Sequence, residues 1–96
     1  MIRSFADKVT ADVFYGEPTA RARRIPVEVI KVALRKLAQL DAAVRLDDLR
    51  VPPGNRLEAL RGDRAGSHSI RVNEKWRVVF RWESDGAHDV ELTDYH

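Results

Sequence analysis

Two periods of hydrophobic spacing divide the chain. In the first half, Ala6, Val9, Thr10, Val13 and Phe14 recur at helical spacing and predict a first helix. Ser4 suits its N-cap, with Asp7 as an acidic variant of the capping box, and Gly16 suits its stop. Pro26 fits the first turn of a second helix, with Glu28 well placed near its N-terminus. Its apolar stripe is Val27, Ile30, Ala33, Leu34, Leu37, Ala38 and Leu40, and Lys31, Arg35 and Lys36 fall largely on the other face.

In the second half the period changes to two. Leu57 to Leu60 begins a sheet, and Gly62-Asp63-Arg64-Ala65-Gly66 is a turn. Ile70 and Val72 face one way; Ser69, Arg71 and Asn73 face the other. Asn73-Glu74-Lys75 is a tight turn. Trp76, Val78, Phe80 and Trp82 then share a face, with Arg77, Val79 and Arg81 opposite. Ser84-Asp85-Gly86 closes a hairpin into a last strand from His88 to His96, with Val90 and Leu92 inward. Ile2-Arg3-Ser4-Phe5 reads as a short leading strand. Between helix and sheet, Asp47-Asp48 and Pro52-Pro53-Gly54-Asn55 mark a loop with Leu46 and Leu49 tucked beneath it. The prediction is an α+β fold: two N-terminal helices packed on one face of a small antiparallel sheet.

Length narrows this to one domain over residues 1–96. With no cysteine, disulfides and cysteine-held metals are excluded. Neither a membrane span nor a secretory leader is expected, and the expected location is the cytoplasm. The net charge of +2 conceals a strong asymmetry. Residues 50–82 hold eight Lys/Arg against three Asp/Glu, whereas residues 83–96 hold five Asp/Glu and no Lys/Arg. Such a block points to a polyanion partner, or to arginines pairing with carboxylates such as Asp89 and Glu91 on a neighbouring strand.

The open sheet face gathers Arg71, Arg77 and Arg81. Arg61, Arg64 and Lys75 extend the patch along its rim. A guanidinium donates two parallel hydrogen bonds that suit a phosphate. His96 supplies a group that titrates near neutrality, Tyr95 can stack on a base or hold a proton, and Asp94 can orient His96 or accept a proton. Together these are the minimum for cutting RNA through its own 2′-hydroxyl: a base, an acid for the leaving oxygen, and cations at the phosphate. No metal or other cofactor is called for. His68 and His88 read as ordinary strand residues.

The segments Leu60-Arg61-Gly62-Asp63-Arg64-Ala65-Gly66, Ser69-Ile70-Arg71-Val72-Asn73, Trp76-Arg77-Val78-Val79-Phe80 and Asp94-Tyr95-His96 resemble the HigB-type toxins of the RelE/ParE superfamily. Ile2-Arg3-Ser4-Phe5 with Asp7-Lys8, and Phe14-Tyr15-Gly16, extend the resemblance over the whole chain. It implies the RelE-like microdomain and a ribosome-dependent endoribonuclease that cuts translated messenger RNA. It implies a helix-turn-helix, HigA-like antitoxin as partner, with operator DNA reached only through that antitoxin. Carried over by position, Asp94, Tyr95 and His96 form the catalytic end, Arg77 contacts the scissile phosphate, and Arg61 stands where some members carry lysine. Arg64, Arg71, Asn73, Lys75 and Arg81 are the expected contacts to RNA and ribosome. Glu58 occupies a position where some members have a histidine. Two other classes stay open: a ParE-like inhibitor of DNA gyrase that acts by binding, and an inactive antitoxin-binding module.

Overall fold

The computed structural model describes residues 1–94. Its elements are α1 (Lys8–Tyr15), α2 (Val27–Ala42), β1 (Glu58–Ala59), β2 (His68–Arg71), β3 (Trp76–Glu83) and β4 (Gly86–Asp94). The four strands pair antiparallel in the order β1-β2-β3-β4. Short 3₁₀ turns at Ala22–Arg24, Leu46–Arg50, Pro53–Asn55 and Gly62–Arg64 fill the connections.

The first helix begins later than its sequence suggests. Asp7, not Ser4, is the N-cap, and its Oδ1 accepts from the Thr10 N–H at 2.8 Å. The reason lies in the sheet. Residues 2–6 run extended beside β4, through bridges Ile2↔Ala87 and Phe5↔Val90, and the Ala6 N–H reaches the Val90 carbonyl at 2.9 Å. An extended Ser4 cannot cap a helix. Its hydroxyl instead accepts from the Asp89 N–H at 2.8 Å. Gly16 does end α1, in the left-handed conformation at φ 71° that costs glycine least.

The buried stripe of α2 is Val29, Ala33, Leu37 and Leu40. Val27, expected in that stripe, points to solvent, and Leu34 sits at its margin. Both stripes have helical spacing; the one used is centred on Ala33 and Leu37, which are wholly buried in the core. The sheet contributes Ile70, Val78, Phe80, Ala87, Val90 and Leu92, with Trp76 and Trp82 packed at the rim.

A bulge interrupts β3–β4 pairing. Val79 pairs with Glu91, but Arg81 pairs with His88, so β4 carries one extra residue. Asp89 takes up the irregularity at φ 51°. This lets both Ala87 and Val90 face the core although three positions apart. It also turns the Asp89 carboxylate toward Arg81. Among the described residues no helix is long and apolar enough to cross a membrane.

Candidate active site

Register decides which side chains share the open face. Residues paired directly across strands lie on the same side. Arg71 pairs with Arg77, Ser69 with Val79, Glu58 with Ser69, and Arg77 with Thr93. Two arginines therefore stand opposite each other, an arrangement that repels unless each has somewhere to go. They diverge. Arg77 leans toward β1, with Nη1 3.3 Å from the Ser69 hydroxyl and 3.3 Å from Glu58 Oε1. Arg71 leans toward the β2–β3 turn, where Nε donates to the Asn73 carbonyl at 3.1 Å. Arg77 is the most enclosed of the ion-paired arginines, with 18% of its side chain exposed.

The other predicted cations differ in how free they are. Arg64 pairs with Glu91 at 3.3 Å. Arg81 is clamped by Glu83 at 2.5 Å and Asp89 at 3.4 Å, and these hydrogen bonds, Glu83 first, hold its proton more tightly than usual. Arg81, expected to meet a polyanion, thus already has two carboxylates beside it, the second supplied by the bulge. Of the two carboxylates expected to hold sheet arginines, Asp89 takes Arg81 and Glu91 takes Arg64. Arg61 and Lys75 are exposed on the two turns. Asn73 has a structural task. Its Oδ1 accepts from the N–H groups of Lys75 and Trp76, both at 2.8 Å, which fixes the turn.

Asp94 pairs with Trp76 and so lies on the helix side, not beside Arg77. It lines a cleft with Asp7, Arg21, Arg24 and Trp76. Tyr95 and His96, the rest of the expected catalytic end, lie outside the described residues. Among the described residues a carboxylate brought to Arg77 is that of Glu58, the position where some members of the resembled family carry a histidine. Only the register of β1 on β2 and the reach of Arg77 across it join residues so far apart in sequence.

Both histidines lie in strands, as expected, His68 in β2 and His88 in β4. His88 has a carboxylate partner: its Nε2 lies 2.6 Å from Asp85 Oδ1, the chief cause that holds the Asp85 carboxyl below its ordinary value. His68 faces the core, stacked on Phe80 with centroids 6.2 Å apart. Its Nδ1 is buried without a hydrogen-bond partner among the described residues.

Against known proteins, residues 3–96 match the family described as RelE-like toxin of type II toxin-antitoxin system HigB. Toxin HigB-1 of Vibrio cholerae is 46% identical over 82 residues, covering 85% of this chain and 84% of its own length. Endoribonuclease HigB of Proteus vulgaris is 29% identical over 96 residues, covering 100% of both chains. Among solved structures, a chain of the YoeB-YefM complex from Staphylococcus aureus superposes with a TM-score of 0.61, covering 100% of this chain and 95% of that one. At 17% identity that likeness concerns the fold.

Proposed function

The chain belongs to the RelE-like HigB toxins of type II toxin–antitoxin systems, and we propose that it is a ribosome-dependent endoribonuclease that cuts messenger RNA as it is translated. The observation that carries this role is the enclosed Arg77 guanidinium, fixed on the open sheet face beside the Glu58 carboxylate. A cation that can grip a phosphate thus stands next to a group that can take a proton. The full-length similarity to a protein named an endoribonuclease supports the same chemistry.

In the proposed reaction the 2′-oxygen attacks the adjacent phosphorus while the bond to the 5′-oxygen breaks. A base removes the 2′-hydroxyl proton, and an acid delivers a proton to the leaving 5′-oxygen. Arg77 stabilises the charge that builds on the phosphate oxygens. Glu58 is the proton acceptor that Arg77 keeps in place. Tyr95 and His96 are the proposed acid and its partner, and Asp94 orients the end of the chain from the helix side. Arg61, Arg64 and Lys75 flank the path of the RNA. The whole of residues 1–96 serves as one cytoplasmic domain. Its partners are a HigA-like helix-turn-helix antitoxin, through which it reaches operator DNA, and the ribosome with its messenger.

Expression of the chain without an antitoxin, with mapping of messenger 5′ ends on stalled ribosomes, tests this role. New ends inside translated codons are expected from the wild type and not from Arg77→Ala. Growth arrest with intact messengers and altered plasmid supercoiling would assign the chain to gyrase instead. No arrest at all would leave an antitoxin-binding module.

A further inference from the structure

We propose that Ser69 is a positioning residue for the cutting reaction: its hydroxyl holds the Arg77 guanidinium where the scissile phosphate arrives, and does so without cancelling the charge that the phosphate needs. The inference rests on the RNA-cutting role and gives a task to a residue which that role leaves unassigned.

Ser69 lies in β2, paired on one side with Glu58 of β1 and on the other with Val79 of β3. Pairing on both sides fixes its backbone, so the hydroxyl has a fixed base. Residues paired across strands share a face, which places the hydroxyl on the open face with Glu58. Arg77 is two positions from Val79 and meets Ser69 on the diagonal, a span that long side chains cover. Its Nη1 lies 3.3 Å from the Ser69 Oγ and 3.3 Å from Glu58 Oε1. This end of the guanidinium therefore stands above residue 69, between two acceptors, and a small side chain there leaves it room. Ser69 is wholly buried although it belongs to the open face. A buried hydroxyl calls for a hydrogen bond, and Arg77 supplies one.

The neighbouring arginines show what a neutral acceptor changes. Arg81 is held by the carboxylates of Glu83 and Asp89, and Arg64 by that of Glu91. A carboxylate fixes an arginine and also offsets its charge. A hydroxyl oxygen accepts the same hydrogen bond with no net charge of its own, so it fixes direction only. Glu58 alone is a poor anchor during the reaction. In the proposed step it takes the 2′-hydroxyl proton, and its attraction for Arg77 falls just as charge builds on the phosphate oxygens. The Ser69 hydroxyl keeps its charge state through that step. It holds Nη1 against β2 throughout, and so spares the arginine a rearrangement that would cost transition-state stabilisation.

The experiment measures single-turnover cutting of a defined messenger on purified translating ribosomes, with the full chain in excess. Wild type, Ser69→Ala, Arg77→Ala and the double variant are compared. Ser69→Ala keeps the room over β2 and removes one hydrogen bond to a charged group. It is expected to cut about tenfold more slowly at saturation, with the half-saturating concentration unchanged. The double variant is expected to cut no more slowly than Arg77→Ala, because a residue that acts through Arg77 then has nothing to act on. A Ser69 that only packs the sheet would slow Arg77→Ala by its own factor again. A second readout needs no cutting: the ¹⁵N order parameter of the Arg77 Nε–H is expected to fall in Ser69→Ala. The inference is overturned if Ser69→Ala cuts as fast as the wild type, if the two losses multiply in the double variant, or if the order parameter is unchanged. A wild type that leaves translated messengers intact sinks the nuclease role instead, and an order parameter that still falls keeps Ser69 as the hold on Arg77.

Discussion

Arg77 on β3 reaches over the whole of β2 to bring Nη1 within 3.3 Å of Glu58 Oε1 on β1, passing the buried Ser69 hydroxyl on the way. Glu58 is half-exposed, so the ion pair itself contributes only about 0.2–1 kcal/mol to stability. Its proposed importance is chemical. Arg77→Ala is expected to reduce messenger cutting by at least about 10²-fold, and Glu58→Gln by about 10²–10⁴-fold, with the fold retained in both. Primer extension on ribosome-bound messenger measures this. A faster Glu58→Gln enzyme would mean that Glu58 competes with phosphate for Arg77 and takes no proton.

Asn55 is fully buried, yet it sits in what the sequence presents as a turn. Its Nδ2 donates to the carbonyl of Leu49 and to Gln39 Oε1, both at 3.1 Å, and its Oδ1 accepts from Lys36. Asn55→Ala leaves the Leu49 carbonyl and the Lys36 ammonium without these partners. The expected loss is about 2–4 kcal/mol of unfolding free energy, visible as a shift in the urea midpoint with little change in slope. A variant as stable as the wild type would show that water replaces the amide.

Asp12 ties the end of α1 to the following loop. Its carboxylate accepts from Arg21 Nε at 2.5 Å and from the Thr19 hydroxyl at 2.7 Å. These bonds, Arg21 first, hold its pKa below the ordinary 3.8. A carboxyl depressed in the folded state stabilises the fold above its unfolded pKa, and that contribution disappears as pH falls through the lower folded value. Asp48 and Asp85 are depressed too and act with the same sign. The melting temperature is therefore expected to drop between about pH 5 and pH 2. Asp12→Asn should melt lower at neutral pH and show a shallower acid slope; an unchanged slope would remove Asp12 from the acid transition.

Gly86 and Gly54 offer a paired test. A Cβ on Gly86 would lie 2.1 Å from the Met1 carbonyl oxygen, and its φ of 133° already disfavours any side chain. Gly86→Ala should displace the leading segment and cost about 1–3 kcal/mol or more. A Cβ on Gly54 meets nothing within 4 Å, and its φ is ordinary. Gly54→Ala should be neutral or stabilising by up to about 1 kcal/mol. Calorimetry on the two variants is sufficient, and equal melting temperatures would contradict the close approach.

The sheet was legible because alternation survives in β2, β3 and most of β4, where a one-residue slip would expose Val78 and Phe80. Gly16 and the second helix were legible from stop and start chemistry. What escaped was everything set by contacts distant in sequence. Ser4 has the composition of a cap, but pairing with β4 holds it extended. Val27 and Val29 fit a helical stripe equally well until the sheet selects a face. The bulge at Asp89 leaves no mark in composition, yet it brings a second carboxylate to Arg81. Likewise the basic patch was visible as charge, but which arginines are paired depends on register. Lys36, read on the polar face of α2, is instead partly buried and bonded to Asn55 of the loop before β1.

The leading segment lies parallel to β4, so that the Ala87 N–H donates to the Met1 carbonyl and the Val90 N–H to the Ser4 carbonyl. Residues 2–6 therefore pair with residues 87–90, more than eighty positions away. During translation residues 1–6 have no edge to join until residues 87–90 have been made, and the edge of β4 has no cover until residues 1–6 return to it. Such end-to-end closure is slow relative to local helix formation. A growing chain is thus held short of its final sheet until residues 87–90 have emerged, and the exposed edge of β4 is closed only by a segment more than eighty positions away.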